Sequence, residues 1–165
     1  MLVNKVAQSG LIVLDLEDHY PSEEVMSLDI SQFLFKQLIL REKEFRAALK
    51  AFDWSVYGGR VVAIFCSTDA IIPQWAYMLL TSYLADVNAE VYFGLPHNVE
   101  EDHLLDRLNQ LNIEEYRDER VIIKGCGKLE KSGKAYIHIS KLLLPVVKSL
   151  MFGEPCSTVP VYKRK

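Results

Sequence analysis

Three cysteines, Cys66, Cys126 and Cys156, offer the most chemistry in this chain of 165 residues. Each falls where the sequence turns. Cys66 opens Cys66-Ser67-Thr68-Asp69 directly after an apolar run, Cys126 lies between Gly125 and Gly127, and Cys156 follows Gly153-Glu154-Pro155. Thiolates delivered by separate loops bind zinc, with Asp69, a histidine or water as the fourth ligand. They also hold iron–sulfur clusters with an open corner. The first expectation is therefore one metal site built from Cys66, Cys126, Cys156 and Asp69, serving a non-catalytic accessory or carrier role. Against it, a free cysteine is often a small buried hydrophobe, and no Cys-x-x-Cys pair is present. An odd number of cysteines gives no disulfide framework. Cys66 as a nucleophile lacks a sequence-adjacent base, so no catalytic residue is assigned.

The remaining polar residues read more plainly. Asp15, Glu17, Asp18 and His19 form an acid-rich strand exit that can supply metal ligands but suits a solvated turn better. His97 and His103 read as surface residues, and His138, among apolar neighbours, as a satisfied core histidine. The sequence has no Gly-x-Gly-x-x-Gly, no P-loop, no His-Glu-x-x-His and no Gly-x-Ser-x-Gly. These absences count against a dinucleotide enzyme of the usual kind, a P-loop NTPase, a zincin and a serine-elbow hydrolase.

Charge is distributed unevenly behind a net charge of -3. Residues 1–120 carry 10 Lys+Arg against 20 Asp+Glu, and residues 121–165 carry 9 against 2. Such an acidic body with a basic C-terminal quarter suits an anionic protein or RNA partner at that quarter, the cysteines then being structural. Alternatively, the two charges neutralise each other within the fold or across a dimer. Tyr162-Lys163-Arg164-Lys165 adds an aromatic ring to three cations, a combination that suits RNA, although no nucleic-acid motif accompanies it.

Positioning these residues requires an α/β framework. Val61-Val62-Ala63-Ile64-Phe65 is a continuous apolar, β-branched run, as in strands buried on both faces. Glu90–Gly94 and Arg120–Lys124 read as two more strands, with an amphipathic helix near 99–112 between them and a helix over 70–85 before them. The 70–85 helix is expected to be capped by Ser67, Thr68 or Asp69, with Pro73 in its first turn. Residues 134–152 read as a further helix, although Ala135–Ile139 alternates like a strand. The pattern predicts a mainly parallel sheet of three to five strands flanked by helices, Rossmann-like, with right-handed crossovers. A 2-1-3 order would place Cys66 and Cys126 at a switch point, facing each other from neighbouring strands about 4.8 Å apart. The whole chain, 1–165, is expected to be a single domain, with an arm over 1–58, a core over 59–152 and a cysteine-containing basic tail over 153–165. Within the arm, Leu11–Leu14 reads as a strand and part of 31–52 as a helix. The arm either adds an edge strand and a covering helix to the sheet or forms its own layer.

The longest uncharged stretch, Ala70–Ala85, has 16 residues and falls short of the ~20 that span a bilayer. The start lacks the pattern of a signal peptide. A cytoplasmic protein with no membrane association is expected. Because a helix with so little polar face needs covering, a homodimer is expected as well.

Several strings together resemble an uncharacterised bacterial domain-of-unknown-function family across nearly the whole chain. They are Asn4–Ala7 with Ser9–Leu11, Cys66–Pro73 with Trp75–Met78, Ile123–Cys126 and Lys148–Pro160. The resemblance implies a cytoplasmic protein without an assigned activity.

Overall fold

A computed structural model describes residues 10–125 and 133–165. The chain is mixed α/β with two sheets, and its contacts divide it into two compact units. One unit comprises Pro21–His103; the other comprises the residues up to Tyr20 together with Leu104–Lys165. The strands are β1 (Leu11–Asp15), β2 (Met26–Asp29), β3 (Val61–Phe65), β4 (Glu90–Phe93), β5 (Arg120–Lys124), β6 (Ser149–Glu154) and β7 (Ser157–Lys163). The helices are α1 (Glu42–Ala51), α2 (Gln74–Asp86), α3 (Pro96–Asn109) and α4 (Gly133–Leu143).

In the Pro21–His103 unit, β2, β3 and β4 form a parallel sheet in chain order. Period-2 alternation sets its two faces. Leu28, Val62, Ile64 and Val91 pack against Phe45 and Leu49 of α1 and Ala76, Leu80 and Leu84 of α2. Ala63 and Tyr92 point to the opposite face, where Val25 and Val99 bury them. An aromatic cluster fills the space beside α1, with Trp54 tilted on Phe52 at 4.8 Å and stacked on Tyr83 at 5.2 Å. The buried Trp54 Nε1 donates to the Leu49 carbonyl at 2.8 Å, satisfying the one polar atom of the ring.

In the other unit the strand order is β1-β5-β6-β7. β1, β5 and β6 are parallel, and β7 returns antiparallel to β6 through the two-residue turn Pro155-Cys156. Leu14, Val121, Ile123 and Leu150 from the sheet bury against Leu104 and Leu108 of α3 and Ala135, Ile139 and Leu143 of α4. The β6–β7 ladder shifts register between Leu150 and Met151, leaving Val161 as the extra residue of a bulge.

Several sequence expectations need correction. Val61–Phe65 and Arg120–Lys124 belong to different sheets, so the single sheet with a 2-1-3 order does not form. The Leu11–Asp15 strand supplies the edge next to β5 instead. The helix expected over 70–85 begins at Gln74 with Pro73 as its cap residue, so neither Ser67, Thr68 nor Asp69 caps it. Residues 134–152 are not one helix: α4 ends at Leu143, and β6 occupies Ser149–Glu154. The basic tail is the outer strand of a sheet.

The helix α2 is not buried on most sides of this chain. Ala76, Leu80 and Leu84 form one fully buried stripe, while Met78 stands 71% exposed on another face. Among the described residues no helix is long and apolar enough to cross a membrane.

Candidate functional site

The carboxyl ends of β2 and β3 carry a cluster of short polar side chains. Asp29, last residue of β2, accepts hydrogen bonds from the Ser31 amide at 3.0 Å and the Ser67 amide at 3.1 Å through Oδ1. Its Oδ2 accepts the Ser67 hydroxyl at 2.5 Å. The buried Ser31 places its Oγ 3.3 Å from Ser67 Oγ. Burial alone would raise the Asp29 carboxyl. The Ser67 hydroxyl, the amides of Ser31 and Ser67 and the Ser31 hydroxyl outweigh burial and hold it below its ordinary value. A carboxylate accepting this many donors is a structural clamp. The Ser67 hydroxyl is within reach of that carboxylate, but a carboxyl held below its ordinary value is a weak base for taking the hydroxyl proton.

Cys66 lies next to this clamp, its Sγ 3.4 Å from Thr68 Oγ1. Thr68 donates its single hydroxyl proton to the Gln37 carbonyl at 2.7 Å, so the thiol is left as the donor toward Thr68. The helix amino terminus expected to abut Cys66 begins only at Gln74. Asp69 sits in the stretch without regular secondary structure between Cys66 and α2.

Cys66 follows β3 in the three-stranded sheet, Cys156 is exposed in the β6–β7 turn, and Cys126 lies outside the described residues. The switch-point premise fails because the strand preceding Cys66 and the one preceding Cys126 are not neighbours. Among the described residues no three His, Cys, Asp or Glu side chains gather as a metal site.

The four-stranded unit has a charged feature at each end of its parallel strands. At the carboxyl ends, Lys124 Nζ lies 3.4 Å from Glu154 and 3.6 Å from Asp15, bridging β5 to β6 and β1. Hydrogen bonding and attraction from Glu154, with a smaller contribution from Asp15, push the Lys124 ammonium above its ordinary value, the opposite of what a nucleophilic lysine needs. Asp15 also caps the turn after β1 by accepting from the Glu17 amide at 3.0 Å, so the acid-rich exit is a built turn.

At the amino ends of β5 and β6 a concavity of about 390 Å³ is lined by Arg120, Lys148 and Lys163 around Ser149, Met151, Pro160 and Tyr162. The register pairs Arg120 with Ser149 and Ser149 with Lys163, which sets two cations on flanking strands. Arg164 fixes this corner. Its guanidinium pairs with Asp118 and donates to the Val146 carbonyl at 2.6 Å, and its amide donates to the Lys148 carbonyl at 2.9 Å. Arg164 is thereby used in the fold, whereas Arg120, Lys148 and Lys163 form no ion pair among the described residues.

A family described as protein of unknown function (DUF2480) matches residues 1–164. The chain belongs to that family. Neither the curated proteins nor the solved structures include a match. The DUF2480 assignment brings no activity with it, so the geometry carries any functional reading of this family member.

Two histidines differ from their sequence readings in this DUF2480 chain. His103 is not a surface residue: it is 3% exposed, with its Nδ1 3.3 Å from Glu90 and its ring edge-on to Tyr92 at 6.0 Å. His138 is not a core residue but is half-buried and bonds Asn109 Oδ1 at 2.7 Å. Helical spacing could have found the first, since Val99, His103 and the fully buried Leu104 and Leu108 follow an i, i+4, i+5, i+9 stripe. The basic C-terminal quarter, with Tyr162 and Lys163, was legible in the sequence, but its meeting with Arg120 was not, because the segment of β6 read as helix and that of β7 as tail.

Proposed function

We propose that this protein is a non-catalytic binding module that holds single-stranded RNA on the face of its four-stranded sheet, with the cysteines structural. The observation that supports this reading is the cationic concavity of Arg120, Lys148 and Lys163 around Met151, Pro160 and Tyr162. Cations alone attract any polyanion. Apolar and aromatic groups set among them add a surface on which bases stack, and stacking is worth about 1–3 kcal/mol per base. An acidic peptide would use the cations and leave Tyr162 without a role.

The test is fluorescence anisotropy with a labelled twelve-nucleotide oligoribonucleotide across a salt series. Neutralising three phosphates gives a slope of log K against log salt of about -2. The K148E/K163E double variant is expected to weaken binding at least tenfold, with thermal unfolding unchanged because both side chains lie at the surface. Tyr162→Ala should weaken binding while leaving the salt slope intact. Unchanged affinity in K148E/K163E overturns the reading. So does a preference for poly-glutamate over RNA, which would transfer the face to a protein partner.

A further inference from the structure

The three-stranded sheet ends in an open edge beside a groove. Glu90 donates its amide to the Arg60 carbonyl and Gly94 to the Ile64 carbonyl, both at 2.9 Å. Backbone direction alternates along a strand, so the N–H and C=O groups of Val91 and Phe93 face away from β3. No strand pairs with that side of β4 among the described residues. Edges left open in stable proteins are commonly blunted by proline, lysine or a bulge. β7, the outer edge of the other sheet, has Pro160, Lys163 and a bulge at Val161, whereas β4 has none of these devices.

The wall opposite this edge is α2. Between them lies a groove of about 520 Å³, lined by Ile72, Gln74, Tyr77 and Thr81 on one side and Val91 and Phe93 on the other. Gln74, Tyr77 and Thr81 stand at i, i+3 and i+7, one face of the helix. The Gln74 carboxamide and the Tyr77 hydroxyl have no hydrogen-bond partner among the described residues. Burial, with a contribution from Cys66, pushes the Tyr77 phenol up, so it remains a donor through neutral pH. Phe93 stands 71% exposed, its ring edge-on to Tyr77 at 5.6 Å, and Ile71, next in sequence to the lining Ile72, is 91% exposed.

We infer that the groove between β4 and α2 takes an extended segment of a partner protein, apolar at its centre and flanked by cations, as a fourth strand. Main-chain pairing with Val91 and Phe93 supplies affinity, and the ladder of Gln74, Tyr77 and Thr81 faces the alternate side chains of the segment. Charge selects the occupant. No charged side chain lines the groove, yet residues 21–103 carry 12 acidic and 6 basic side chains. Pairing two copies through β4 would bring two such acidic units together, whereas cations flanking an apolar segment would be attracted.

The test is selection from a displayed library of random nonapeptides on the full chain, followed by hydrogen exchange with the enriched peptide. Enriched sequences should alternate apolar residues between terminal Lys or Arg. Saturating peptide should slow exchange of the Val91 and Phe93 amides at least tenfold. Phe93→Lys, a change at an exposed side chain, should abolish enrichment while thermal unfolding stays unchanged. Failure to enrich, enrichment that survives Phe93→Lys, or protection elsewhere overturns the inference. Sedimentation showing a dimer that Phe93→Lys dissociates also overturns it, since a second copy would then hold the edge.

Discussion

The Ser67 hydroxyl sits 2.5 Å from Asp29 Oδ2, tying together the carboxyl ends of two neighbouring parallel strands. The chain between Cys66 and Gln74 has no regular secondary structure, and this contact ties its start to β2. The same carboxylate also takes the Ser31 amide, so one residue organises the turns after β2 and β3.

Asp29→Asn removes the charge-assisted part of that arrangement. Hydrogen bonds to a charged group contribute about 1.5–3 kcal/mol, and solvent screening at this partly exposed site reduces the expected loss to about 1 kcal/mol. The pH dependence has a definite sign. The folded carboxyl titrates below its ordinary value, so its contribution is complete above about pH 4 and disappears as the pH falls through the folded value. Urea unfolding of both proteins between pH 3 and pH 7 should show curves that converge at the acid end. A gap that stays constant with pH would mean Asp29 acts by shape alone.

Gly153→Ala tests the β6–β7 turn. Gly153 has φ +117, and an added Cβ would lie 2.7 Å from the Ser157 carbonyl oxygen. Backbone strain of this kind costs about 1–3 kcal/mol, and the clash with backbone adds to it. Gly59→Ala is the control, because Gly59 has φ +66 with nothing within 4 Å of the new Cβ. That variant should lose only the conformational term, about 1–2 kcal/mol. Chemical denaturation should rank Gly153→Ala clearly below Gly59→Ala.

Lys124→Met cuts the bridge between β1, β5 and β6. Its ammonium titrates above the ordinary lysine value, so the contribution is complete below about pH 10.5 and fades as the pH rises through the folded value. At neutral pH the variant should be slightly less stable than wild type, and the difference should shrink in 1 M salt as screening removes the attraction. Thermal unfolding in low and high salt measures both effects.

The sequence disclosed local order better than partnership. Arg120–Lys124 and Val61–Phe65 form strands with the bounds their apolar β-branched runs indicate, because such runs have few alternative conformations. Which strands pair is decided by long-range packing, and regular strand–helix alternation concealed that β5 turns to β1 instead of joining β3 and β4. Met26–Asp29 went unread although Met26, Leu28 and Ile30 alternate with Ser27 and Asp29; four residues give little pattern to detect. Ser149–Glu154 was absorbed into the preceding apolar helix, because a short buried run looks alike in either state. Of the cysteine site, the placement of Cys66 and Cys156 outside regular elements was legible. The facing of Cys66 and Cys126 rested on neighbouring strands, whereas β3 and β5 belong to different sheets. The Asp29–Ser67 clamp joins residues 38 apart and leaves no mark in local spacing.

The pairing of Leu11 with Arg120 has a consequence for biosynthesis. Once Leu11–Asp15 has been made, more than a hundred further residues must follow before its neighbour exists. At about 5–20 residues per second that interval lasts several seconds or more, long on the scale of hairpin or helix formation. Throughout it Leu11–Asp15 is an apolar strand without a sheet, while the later segment Met26–Phe93 already holds every strand of its own. The segment Leu11–Asp15 is therefore the strand most exposed to chaperones, and to wrong partners, during synthesis.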